Sequence, residues 1–138
     1  MSDSTADFLT RIRNAIIADF DDVVIPSSGF NKQLLSLLER EGYIEGFSTE
    51  QSVPDGRRTR TAFEVIRVRL KYTEDRQPVI SGLQRVSKSG RRQYVTADSV
   101  PRVLGGMGTT IMTTSSGVLS ANEARKQNVG GEVVAFVW

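Results

Sequence analysis

The sequence predicts an α+β fold of two small α/β domains, the first running α-β-α-β-β and the second mostly β with short helices. Three observations carry this. Apolar residues recur twice at helical spacing near the start, at Phe8, Ile12, Ala15 and Ile16 and again at Phe30, Leu34, Leu37 and Leu38. Further on the period becomes two, with Ile66, Val68 and Leu70 alternating against Arg67, Arg69 and Lys71. After a polar stretch from Thr73 to Pro78 the segments are short and turn-rich. A chain of 138 residues holds one ordinary domain or two small ones. The polar stretch divides it into residues 1–72, a linker over 73–78, and residues 79–138.

Ser4 and Asp7 resemble a capping box and open an amphipathic helix over residues 4–18, with Arg11, Arg13 and Asn14 off its buried stripe. Asp19, Asp21 and Asp22 end it, and Val23 to Ile25 form a short β-branched strand. Pro26 with Ser27 and Ser28 starts a second helix that stops at Gly42. Tyr43 to Thr49 and Ala62 to Tyr72 are strands joined by a polar loop holding Pro54, Asp55 and Gly56. In the second half, Val79 to Ser87 and Gln93 to Thr96 are strands around the basic turn Lys88-Ser89-Gly90-Arg91-Arg92. Asp98 or Ser99 caps a helix with Pro101 in its first turn and Gly105 and Gly106 at its end. Thr109 to Thr114 is a strand and Ser115-Ser116-Gly117 a turn. Ser120 with Glu123 caps a short helix ending near Asn128. Glu132 to Trp138 is a final strand with Val134, Phe136 and Trp138 on one side.

The chain has no cysteine and no histidine, which removes disulfides, thiolate nucleophiles, imidazole bases and nearly every zinc site. No catalytic residue, metal or cofactor is expected. A hydrolase with a Ser or Thr nucleophile would need Lys or a carboxylate as its base, and no such spacing is present. No apolar run approaches the ~20 residues that span a membrane. The N-terminal residues are acidic where a signal peptide is basic, so the chain is read as unprocessed, cytoplasmic and monomeric when free. The glycines from Leu104 to Gly108 lack the Lys of a phosphate-binding loop and are read as helix termination.

Charge is divided unevenly. Residues 1–56 hold four Lys or Arg against ten Asp or Glu, whereas 57–138 hold fourteen against six. The basic half is a candidate polyanion-binding face; the acidic half reads as solvated surface or, in a rival reading, as a protein-interaction module for a basic partner. Within the basic half the hydroxyl run Thr113, Thr114, Ser115 and Ser116 matches the donors and acceptors of an RNA minor groove, although such residues also populate ordinary turns. Tyr94 is either a stacking platform beside Lys88, Arg91 and Arg92 or a core strand residue. Arg125 and Lys126 add cations on the last helix, and Trp138 reads as core.

Several spaced segments resemble one family in the right order. They are Ala6-Asp-Phe-Leu-Thr-Arg-Ile-Arg-Asn-Ala15, Arg85-Val-Ser-Lys-Ser-Gly-Arg-Arg-Gln-Tyr94, Pro101-Arg-Val-Leu-Gly-Gly-Met-Gly108, the hydroxyl turn with Gly117-Val118, Glu123-Ala-Arg-Lys126, Gly130-Gly-Glu-Val133 and Phe136-Val-Trp138. They are similar to the bacterial form of the eighth ribosomal protein of the small subunit. That resemblance implies a two-domain protein binding a distorted helical segment in the central domain of small-subunit ribosomal RNA early in assembly, beside neighbouring ribosomal proteins. It also implies repression of its own operon's translation. Carried onto this chain, Thr113, Thr114 and Ser115 enter the RNA minor groove beside Tyr94, while Lys88, Arg91 and Arg92 hold phosphates. Gly130, Gly131 and Glu132 lie near the RNA, with Arg13 and Asn14 as secondary contacts.

The chain also departs from the family pattern. Ser89 stands where the family usually has Pro, and Gly29, Phe30 and Asn31 stand where a basic residue is common, leaving Lys32 as the N-terminal contact. The loop Ser52 to Thr61 is longer than usual, and Asp19 to Asp22 unusually acidic.

Overall fold

A computed structural model describes residues 4–52, 63–103 and 106–138. The polar loop at Pro54, Asp55 and Gly56, and Leu104 with Gly105, lie outside the described residues. The first apolar stripe forms helix α1 (Ser4–Ile17), with Phe8, Leu9, Ile12 and Ala15 buried. Its end is closed by Asp19, at φ 59°. The Asp19 N–H donates to Ile16 O and the Phe20 N–H to Ala15 O. This is the Schellman closure normally made by Gly, and a short polar side chain tolerates it.

Strand β1 (Asp22–Pro26) leads to helix α2 (Gly29–Arg40), whose cap is Ser28, accepting the Asn31 N–H at 3.0 Å. Strands β2 (Ile44–Gln51) and β3 (Glu64–Leu70) complete an antiparallel sheet in the order β1-β3-β2. The expected α-β-α-β-β order is therefore present. On β3 the alternation places Ile66, Val68 and Leu70 in the core. From the other face Arg67 bridges Glu50 at 2.7 Å and Asp22 at 3.2 Å, tying both outer strands to the middle one. The α2 stripe is wider than its spacing suggested: Leu35 is fully buried and Phe30 only partly. The helix packs on β2 and also on the second sheet, so it needs apolar residues on two sides.

The polar stretch after β3 is a closed turn. The Thr73 N–H donates to Gln77 O, the Arg76 N–H to Thr73 O, and Tyr72 bridges Pro78. The Arg76 guanidinium lies 3.9 Å from the Tyr72 ring centre and pairs with Asp19 at 3.0 Å and Asp21 at 2.7 Å. The stretch read as a linker is thus bonded to the end of α1.

The second sheet is organised by β8 (Gly131–Val137). One edge of β8 pairs with β6 (Thr109–Thr114), which pairs in turn with β7 (Gly117–Ser120). The other edge is shared by β4 (Leu83–Arg85), opposite Ala135 to Val137, and β5 (Tyr94–Val95), opposite Gly131 and Glu132. These two are shorter than the expected strands because both occupy one edge of a seven-residue partner. The helix expected from Asp98 or Ser99 does not form over the described residues. A three-residue 3-10 turn, Ala97–Ser99, stands there and is followed by Val100 in the extended region (φ −70°, ψ 126°). Pro101 disfavours helical geometry in the residue before it, and Val100 and Val103 bury their side chains against the sheet. Helix α3 (Ala121–Gln127) carries the full capping box of Ser120 and Glu123 and ends on Asn128 at φ 54°.

Glycine matters most at the start of β8. A Cβ at Gly131 would sit 2.2 Å from Thr113 O, and one at Gly130 would sit 2.5 Å from Val95 O. Only residues without a side chain let β5 and β6 approach β8 from both edges there. The two sheets are then joined by one continuous apolar cluster that includes Phe8, Leu35 and Ile66 with Ile111, Val134 and Val137. Polar clasps reinforce it: Arg13 Nη2 donates to Leu83 O at 2.6 Å, Gln33 Oε1 accepts the Val118 N–H at 2.9 Å, and Arg40 grips Glu123 with two bonds of 2.9 and 3.1 Å.

Outcomes of two kinds follow from these contacts. Gly131→Ala should cost about 1–3 kcal/mol in urea unfolding through backbone overpacking. Gly29→Ala, with open space around it, should stabilise by about 0.5 kcal/mol. The second kind concerns pH. Partial burial works to raise the Glu123 pKa, but hydrogen bonds from Arg40 and the Ser120 backbone outweigh it and hold the carboxyl below its ordinary 4.5. A depressed folded-state pKa contributes stability above the unfolded value that is lost as pH falls through the folded one. Urea midpoints taken from about pH 6 to about pH 3 should therefore decline less steeply for Glu123→Gln than for the unaltered chain.

Candidate nucleic-acid interface

The register of the second sheet decides which predicted residues meet. Tyr94 is opposite Glu132 across β5 and β8, and Glu132 is opposite Thr113 across β8 and β6. Directly opposed residues point to the same face, so Tyr94, Glu132 and Thr113 form one row. Tyr94 is 70% exposed, so it is not a core strand residue. The Glu132 carboxylate beside it is largely covered and takes two bonds from Arg92 Nη1, at 3.1 and 3.3 Å.

The next row is Val95, Gly131, Thr114 and Gly117, and it faces the other way. Val95 on that face packs with Met112, Leu119 and Ala124 under α3. Thr114 therefore does not stand beside Tyr94 as the sequence reading had it, because neighbouring strand residues alternate between faces. Its hydroxyl donates to Gly117 O at 2.9 Å and accepts the Ser116 N–H at 3.0 Å, which holds the β6-β7 turn closed. Ser115 and Ser116 are exposed at the tip, and Gly117 takes φ 101°. Thr113 is the hydroxyl that accompanies Tyr94.

The basic turn is a tight hairpin in which Lys88 and Arg91 exchange backbone bonds of 3.1 and 2.9 Å around Ser89 and Gly90. The Gln93 N–H donates to the buried Ser87 Oγ at 2.9 Å, setting the exit toward Tyr94. Lys88 and Arg91 are exposed with no side-chain partner among the described residues, whereas Arg92 is engaged by Glu132.

The remaining predicted residues are not brought to the row. Arg125 accepts company from Asn122, donating to its Oδ1 at 2.6 Å, and with Lys126 sits on α3, across the sheet from Tyr94. Arg13 is fixed on Leu83 O, which lies opposite Val137 at the far end of β8. Asn14 is exposed on α1 near it. The Lys32 ammonium lies 3.0 Å from Glu64. Gly130 and Gly131 contribute by absence of a side chain, as the close approaches above require. Sequence reasoning missed Gln33, whose amide oxygen supports the hydroxyl hairpin at Val118. It is a contact between distant elements that leaves no local signature.

Together the face offers an exposed aromatic ring, a fixed carboxylate acceptor, small hydroxyls and two unengaged cations. That set can stack on a base, hydrogen-bond a ribose edge and neutralise phosphates. Among the described residues no group of His, Cys, Asp or Glu could hold a metal ion, and no helix is long and apolar enough to cross a membrane. Thr114→Val should cost about 1 kcal/mol in urea unfolding. Tyr94→Ala, removing an exposed side chain, should stay within about 0.5 kcal/mol of the unaltered protein.

Comparison with known proteins covers the whole chain. A family model described as Ribosomal protein S8 matches residues 3–138. Small ribosomal subunit protein uS8 of Lactobacillus delbrueckii subsp. bulgaricus is 48% identical over 138 residues, covering 100% of this chain and 98% of that protein. The protein of the same name from Lactobacillus acidophilus is also 48% identical over the same shares, and that of Desulforudis audaxviator is 44% identical over 100% and 99%. The chain belongs to the ribosomal protein S8 family, a structural family without enzymatic activity.

Proposed function

We propose that this chain is a part of the small ribosomal subunit that binds ribosomal RNA through the Tyr94-Glu132-Thr113 row and the two turns beside it. The observation that carries the reading is the exposed Tyr94 ring aligned with a fixed carboxylate and a hydroxyl, in a chain matching small-subunit relatives from end to end. The ligand is a helical, internally distorted segment of the central domain, held early in assembly. A distortion widens access to base edges and 2′-hydroxyls that a regular duplex keeps shallow or hidden.

In this reading Tyr94 stacks on an exposed base or ribose. Thr113 and the tip hydroxyls Ser115 and Ser116 enter the minor groove, and Glu132 accepts hydrogen bonds from hydroxyl or amino donors. Lys88 and Arg91 hold phosphates, with Arg92 dividing its charge between the RNA and Glu132. An operon transcript folded into the same shape would occupy the same surface, which supplies a route to translational repression. The site of action is the cytoplasmic ribosome, among neighbouring small-subunit proteins.

Affinity then divides into a salt-sensitive phosphate part and a salt-insensitive stacking part. Lys88→Ala and Arg91→Ala should each reduce the slope of log affinity against log salt by roughly 0.7–0.9, measured by filter binding to small-subunit ribosomal RNA. Arg92→Ala should reduce it less. Tyr94→Ala should weaken binding by about 1–3 kcal/mol at unchanged slope. A slope indifferent to Lys88 and Arg91 would refute the phosphate assignment, and full affinity for Tyr94→Ala would refute the platform.

A further inference from the structure

A cavity of about 280 Å³ opens between the last turn of α1 and the β4 end of the second sheet. Ile16, Ile17, Ile80, Leu83 and Trp138 line it, with Arg13 among them. Its walls are fixed: Arg13 is bonded to Leu83 O, and the Trp138 indole lies so close to Gly82 that a Cβ there would stand 2.2 Å from the ring. At this size the space lies at the lower limit of the ~300–1,000 Å³ of small-molecule sites and has room for an apolar side chain. Of the lining residues Ile17 is 76% exposed, and Phe20, three residues further on, is 57% exposed. Large apolar side chains gathered around an apolar opening mark an interaction surface, unlike the same residues scattered singly.

The adjoining surface is acidic. Asp19 and Asp21 follow directly from α1, with side chains 62% and 83% exposed and Arg76 shared between them. Glu74 and Asp75, on the turn that Arg76 ties down, are exposed and have no side-chain partner among the described residues. An acidic border repels a polyanion and attracts a cationic chain, so nucleic acid does not fit this end of the molecule.

We propose that the groove docks a lysine- or arginine-rich segment of a neighbouring protein, which inserts one aliphatic or aromatic side chain between Ile17 and Trp138. Its cations face Asp19, Asp21, Glu74 and Asp75. This is independent of the RNA reading, since it uses the other end of β8 and the opposite charge.

Trp138 is the one tryptophan in the chain, so its emission reports the groove directly. Titrating the full chain with a lysine-rich peptide carrying a central leucine should shift that emission saturably. The same peptide with glycine at the centre should bind about tenfold more weakly, because it buries no side chain. A leucine peptide flanked by glutamates should give no shift. Ile17→Glu, at an exposed position that folding does not depend on, should abolish the response while leaving RNA affinity intact. That last comparison separates failure of the groove from failure of the RNA surface. Equal binding of the leucine and glycine peptides would overturn the proposal, as would binding of the glutamate peptide. So would a shift traced to self-association by concentration-dependent sedimentation.

Discussion

The close approach of three strands at Gly130 and Gly131 is the constraint on which the interface rests. β8 must accept β5 on one edge and β6 on the other at Gly131 and Glu132, and the spaces that side chains at Gly130 and Gly131 would need are filled by Val95 O and Thr113 O. Once that approach is made, pairing alone brings Tyr94, Glu132 and Thr113 into line. The residues that give the face its chemistry are therefore placed by backbone bonds, and their side chains are left uncommitted to packing. Arg92 completes the arrangement by holding the carboxylate in place before any ligand arrives.

Rigid elements set the turns as well. The basic hairpin is closed by its own backbone bonds and anchored through Ser87. The hydroxyl hairpin is closed by Thr114 and propped by Gln33 from α2, so the first unit reaches over to steady a loop of the second. A turn held in this way would give up little conformational freedom on meeting a ligand, since ordering costs reduce the affinity of loop-borne sites. Around Ser89 the turn is held by the paired backbone bonds of Lys88 and Arg91.

Much of this was legible in the residues themselves. Helices α2 and α3, their caps and the alternation of β3 rest on local periods and local hydrogen bonds, and Ser28, Ser120, Glu123 and Asn128 act as their spacing indicates. The second sheet was less legible because pairing is non-local: nothing near Leu83 or Tyr94 shows that both must share one edge of β8. The expected helix after Ser99 failed against a rule visible beforehand, the restriction that Pro101 places on Val100. At the interface, residue types were readable and their facing was not. Thr113 and Thr114 are chemically alike, and strand alternation alone decides that one joins Tyr94 while the other closes a turn. Arg13 and Lys32 looked like free cations because their partners, Leu83 O and Glu64, lie far along the chain.

The apolar cluster shared by both sheets packs the first unit against the second. Thermodynamic linkage then spreads any gain at one surface over the whole molecule. A ligand present at a hundredfold excess over its dissociation constant adds about 2.7 kcal/mol to the folded state, and through that cluster helix α1 would share in an increment gained at the proposed interface. For a chain this size, incorporation into a larger particle is thereby also a form of chaperoning, in which occupancy at one pole slows degradation at the other.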